Sequence, residues 1–158
     1  LHTNSAPETI IRLIDMGMNP LHFADALLVV IAQRLVHTLC KKCKEDYHPT
    51  KEEFDLLVEE YGVDKFSSLG IKYKDSLMLK RPVGCKKCEE TGLAGRTGLY
   101  EVLEGTPELK SLVMKGATVQ ELRKQAISDG MITLKQDGIQ KVFKGECDLK
   151  HVNAVCLF

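Results

Sequence analysis

Four of the six cysteines stand as two Cys-x-x-Cys pairs, Cys40/Cys43 and Cys85/Cys88, with 41 residues between them. Two residues between cysteines let a tight turn aim both sulfurs at one ion, and two such turns complete a tetrahedral shell. Thiolate sulfur suits Zn²⁺ because the ion is borderline soft, and four protein ligands leave no open position, so such a site is structural. The metal would close the loop over 44–84, whose shorter, mixed apolar signals give little to hold its two ends together. Four thiolates and one dication carry a net charge of −2, which Lys41, Lys42, Lys44, Lys86 and Lys87 can offset. Reduced buried cysteines or disulfides are the plain alternative, and a redox-active pair is a third. A redox motif needs one pair in a strand–helix context, which is missing here. Cys147 and Cys156 lie apart and read as small buried hydrophobes.

Charge and length narrow the partners. Twenty-two Lys plus Arg balance 22 Asp plus Glu, and only nine residues are aromatic, none of them Trp. Nucleic-acid binding through the cysteine knuckles is therefore disfavoured, since such surfaces carry a basic excess. The longest apolar run, Ala26 to Ala32, falls far short of the ~20 residues of a membrane span. No secretory signal pattern opens the chain. With reduced cysteines, this points to a cytosolic protein. The absence of an initiating Met and the character of Leu1–Asn4 suggest an excised fragment.

Caps and stops divide the sequence into elements. Ser5 and Glu8 form a capping box for a helix over Ile10, Ile11, Leu13 and Ile14 that stops at Gly17. Asn19 and Pro20 start a second helix. The almost continuously apolar stretch from Leu21 to about Val36 extends it as a buried helix. Thr50 with Glu53 opens an amphipathic helix bearing Phe54, Leu57, Val58 and Tyr61. Leu77–Leu79 suggest an edge strand before Pro82. Gly92, Gly95 and Gly98 suggest a loop, and Leu99–Leu103 alternate as a strand. Thr106, Thr118, Thr133 and Asp148 then cap four helices, the first three closing at Gly116, Gly130 and Gly145.

The segment Leu1–Ala6 resembles the histidine box of the type II secretion and type IV pilus assembly ATPases. Ile11–Leu13 and Met16–Met18 extend the match, followed by Ala32–Leu35, both cysteine pairs, and Gly95–Gly98 with Tyr100 and Glu101. Gly130, Met131, Leu134, Asp137 and Gly138 complete it, in family order, across essentially the whole chain. The cysteine-bearing insertion is similar to that of the secretion and pilus-extension members. The tail, with Cys147, His151, Asn153 and Cys156, departs from the usual family ending.

The resemblance implies an α/β fold with an α-rich tail. Residues 1–39 would end a RecA-like core, 40–92 form the zinc-binding insertion, 93–104 return a strand to the core, and 105–158 make a helical subdomain. It implies a homohexameric motor at the inner face of the cytoplasmic membrane, using ATP and Mg²⁺ and working on inner-membrane secretion or pilus platform proteins. No G-x-x-x-x-G-K-[ST] occurs in the chain, so this stretch alone is expected not to hydrolyse ATP. By the same resemblance, His2 senses or orients the terminal phosphate, Arg96 lies near the nucleotide, and Arg34 is a further candidate for a nucleotide or interface role. His22 and His37 have no clustered partners, and His48 is a reserve ligand at most. The rival reading is a free-standing zinc-ribbon interaction module, against which the buried helix at 21–36 would argue.

Overall fold

Helix α1 (Ala6–Asp15) begins where Ser5 accepts the Glu8 amide. The Glu8 carboxylate accepts the Asn4 amide at 2.9 Å, one position earlier than a capping box requires. Helix α2 (Pro20–Ala26) starts at Asn19, whose side chain takes the Leu21 and His22 amides. The computed structural model describes residues 3–156.

The expected helix to Val36 is not what forms. α2 ends at Ala26, and Val29–Leu39 is strand β1. The burial along β1 alternates with period two, which fits Val29, Val30 and Ile31, whose β-branched side chains lose rotamer freedom in a helix and pack well on a pleated sheet. A long apolar run lacks the periodicity that separates a strand from a buried helix. β1 pairs only with β4 (Leu93–Glu104) among the described residues. The Gly105 amide donates to Leu28 at one end and the Cys40 amide to Gly92 at the other, so the pairing is antiparallel. β4 also begins earlier than expected: Gly95 and Gly98 lie inside the strand rather than in a preceding loop.

The chain divides into two compact units. Of the described residues, the first comprises 3–33 and 100–134. Here α1 packs on α6 (Val119–Ser128), and α2 on α5 (Pro107–Met114). Ala6, Ile10, Leu103, Leu109 and Leu122 are fully buried at its centre. Glu101 is buried among them and accepts the Ala6 amide at 2.7 Å.

The second unit comprises, of the described residues, 34–99 and 135–156. Helix α3 (Lys51–Tyr61) carries the complete Thr50/Glu53 capping box that its sequence announces. A short α4 (Val63–Phe66) follows. Phe54 and Phe66 meet edge-on, and both contact Phe143 of α7 (Leu134–Phe143). Gln136 donates to the Tyr61 carbonyl at 2.7 Å. The edge strand expected near Leu77 is β3 (Leu79–Arg81), shifted by two residues and paired antiparallel with β2 (Glu45–Tyr47). Helix α8 (Leu149–Val155) is capped by Asp148. Thus α5 and α6 fall in the first unit and α7, from Lys135, and α8 in the second, so the segment 105–158 supplies helices to both.

Gly138 explains why a helix former is missing from the middle of α7. A Cβ there would come within 2.4 Å of Val152 Cγ1 on α8. Gly138→Ala is therefore expected to destabilise the second unit by about 1–3 kcal/mol, because a packed interior accommodates an added methyl only by shifting. Urea unfolding should report it, and a variant as stable as the parent would mean that α8 yields freely.

Candidate metal centre

The first cysteine pair lies where β1 ends. The Cys43 and Lys44 amides both return to the Cys40 carbonyl, which makes the tight turn that the spacing calls for. The second pair uses the same device, with the Cys88 and Glu90 amides donating to the Cys85 carbonyl. Gly84 has φ +118°, and a Cβ there would lie 2.7 Å from the Glu90 carbonyl oxygen, so the second turn closes only around a glycine.

Both turns bring their sulfurs to one point. Cys40 Sγ lies 4.0 Å from Cys85 Sγ, while Cys43 Sγ and Cys85 Sγ each lie 3.7 Å from Cys88 Sγ. All four sulfurs fall within 4.8 Å of one another. A disulfide would need about 2.05 Å. A tetrahedron of sulfurs around an ion at ~2.3 Å has edges of about 3.8 Å. The cluster matches the second figure, so it could hold a metal ion.

Its electrostatics are uneven. Burial pushes the Cys88 thiol upward, but the Cys85 and Gly92 amides and the neighbouring thiols outweigh it and bring Cys88 down to about 6. The Cys85 and Gly92 amide nitrogens each lie 3.2 Å from its sulfur. Cys43 is pushed up to about 12 by burial and by the other three thiols. Cys88 is therefore the readier thiolate, and Cys43 is a thiol that a cation would have to deprotonate.

His48 is elsewhere engaged, with Nδ1 2.8 Å from the Leu77 carbonyl and its ring against Tyr73. Cys147 and Cys156 are buried and form no disulfide among the described residues, as their isolation suggested. Burial raises the Cys147 thiol to about 12, which makes it unreactive. His2 lies outside the described residues. His22 is exposed on α2 and His37 on β1, the latter edge-on to His151 at 6.2 Å. Arg34 is half-buried on β1. Arg96 is exposed on β4 and lines a cleft of about 440 Å³ with Thr38, Lys41, Lys44, Thr97 and Glu146. From the sequence, Lys41 and Lys44 have only a charge-balancing role. Their place in this cleft has no signal in the spacing, because β4 returns there from more than fifty positions away.

The family model described as Type II/IV secretion system protein matches residues 1–154. The chain belongs to this family. It is 39% identical over 155 residues to the type II secretion system ATPase E of Vibrio cholerae, covering 98% of this chain and 28% of the relative. It is 37% identical to the type IV pilus assembly ATPase PilB of Pseudomonas aeruginosa, covering 98% of this chain and 25% of that protein. The PilB of Thermus thermophilus is 33% identical, with 98% of this chain aligned to 16% of its length. The chain thus spans about a quarter or less of these relatives. Among the described residues, no helix is long and apolar enough to cross a membrane.

Proposed function

We propose that this chain is the carboxyl-terminal part of a homohexameric ATPase that powers type II secretion or type IV pilus assembly, with a structural zinc held by Cys40, Cys43, Cys85 and Cys88. The observation that carries the reading is the match of 98% of the chain to relatives named as secretion and pilus ATPases. The phosphate-binding loop, with its Lys and hydroxyl, would lie in the remainder of the intact protein. The motor would act at the inner face of the cytoplasmic membrane, beside inner-membrane platform proteins.

The first unit supports the RecA-like part of this reading. Leu28, Val29, Ile31, Tyr100 and Val102 are exposed, with Leu28 80% accessible. An exposed apolar row on the ribbon face away from the helices is unusual for a free-standing module, because apolar surface left in water marks a face that packs against something else. This row takes over the argument against a lone zinc ribbon, which the absent helix over 21–36 no longer supplies. The four sulfurs supply a closed shell of soft ligands, which favours zinc as a structural ion.

His2, Arg96 and Arg34 are assigned nucleotide-side roles on the family resemblance. In the intact protein, His2→Ala is expected to lower ATP turnover about a hundredfold or more with a smaller effect on nucleotide affinity, as for a group acting mainly in the transition state. Steady-state hydrolysis with parallel nucleotide titration separates the two. Intact protein with no ATPase activity would overturn the motor reading. Lost affinity with surviving turnover would make His2 a binding residue.

A further inference from the structure

Three cations and two hydroxyls meet in the cleft beside the first cysteine turn. Arg96 and Thr97 come from β4, Thr38 from β1, and Lys41 and Lys44 from the turn itself, with Glu146 as the opposing carboxylate. Lys44 Nζ donates to the Gly145 carbonyl at 2.7 Å, which fixes the ammonium at the wall and leaves two of its protons free. Lys41 and Arg96 have no hydrogen-bond or ion-pair partner among the described residues. Unpaired cations that converge on one concavity cost charge repulsion unless an anion relieves it. Gly95, at φ +85°, keeps the wall beside Thr38 free of a side chain.

We propose that this cleft binds a phosphate oxyanion, with Arg96 as its planar two-point donor and Lys41 and Lys44 as point charges delivered by the cysteine turn. A guanidinium matches a phosphate edge by paired hydrogen bonds, and ammonium groups add charge from other directions. The cleft volume of about 440 Å³ takes a diphosphate with some of its water. Lys42, Lys86 and Lys87 do not line it and remain to offset the cluster's thiolates. The assignment extends the nucleotide-side reading of Arg96 and rests on it. It adds that the metal-bearing turn is part of the anion site, so the two cysteine pairs hold binding groups as well as each other.

The test is titration of inorganic pyrophosphate into the metal-loaded chain, followed by backbone amide NMR at low ionic strength. Saturable shifts confined to residues 38–44, 94–97 and 145–146 are expected. Arg96→Gln and Lys41→Gln should each weaken binding about tenfold, as for loss of a charge-assisted hydrogen bond. Lys124→Gln, a charge removed from α6, should leave it unchanged. If Arg96→Gln weakens binding and Lys41→Gln does not, the turn's part in the site is overturned while the reading of Arg96 stands. If neither matters, or Lys124→Gln weakens binding equally, both fail. Flotation with phosphatidylglycerol vesicles that pyrophosphate does not compete away, absent with phosphatidylcholine, would replace the cleft by a membrane-facing basic surface.

Discussion

Cys88→Ser is expected to abolish metal loading and to open the second unit around the cysteine turns, while the helices of the first unit keep their protection. Zinc binding to thiolate sites contributes on the order of 10–16 kcal/mol, and that energy is folding energy wherever the site does not pre-exist in the unfolded chain. A domain's whole stability is about 5–15 kcal/mol, so loss of the ion outweighs any single packing change. The 44–84 segment has its own aromatic cluster, but its two ends, Cys43 and Cys85, meet at the sulfurs. Metal analysis together with hydrogen exchange reads the effect. Full metal content in Cys88→Ser, or equal loss of protection in both units, would overturn it. The pH dependence has a definite sign. A thiol pushed up to about 12, as Cys43 is, must lose its proton to bind, while Cys88 at about 6 is largely ionised at neutrality. Protons and metal compete, so affinity should fall as pH falls, most steeply where Cys88 also becomes protonated.

The legible parts of this fold were those with a local physical mechanism. Thr50 and Glu53 satisfy each other's backbone amides within four residues, and their helix appears where they place it. Asn19, Thr106, Thr118 and Asp148 likewise cap helices as read. The cysteine cluster was legible because two residues between cysteines nearly determine the turn. β1 was misread because Leu27–Ile31 is apolar without a period, and the choice of strand is made by a partner, β4, distant in sequence. Glycines at 95 and 98 suggested a loop, yet they lie in a strand that passes the Thr38 side chain closely. β2 was not anticipated at all: Glu45, Asp46 and Tyr47 have no apolar alternation and depend on pairing with β3. The cleft was invisible for the same reason, since its cations come from separate elements.

Glu101→Ala is expected to destabilise the first unit by about 3 kcal/mol or more, because it strands buried donors rather than merely removing a contact. The Glu101 side chain is buried and accepts the Ala6 amide at the start of α1, and the nearby Leu134 amide also favours its charged form. The carboxylate therefore serves the N-terminus of α1, where backbone amides have no partner within the helix and the dipole favours negative charge. Arg123 lies near enough to favour the charged form, and its guanidinium donates to Ser5 Oγ at 3.1 Å. Burial nevertheless prevails and raises the carboxyl above its ordinary value. A raised folded-state pKa contributes stability that is present below the unfolded value and is lost as pH rises through the folded one. Glu101→Gln removes that titration while keeping the shape, and it presents an NH₂ where an acceptor is needed. The stability difference between wild type and Glu101→Gln should therefore shrink as pH rises out of the acid range and then level off. Parallel denaturant titrations across that range measure it. A gap that widens with pH would mean that the two amides and Arg123 outweigh desolvation, and Glu101 would then be a carboxylate stabilised by its site.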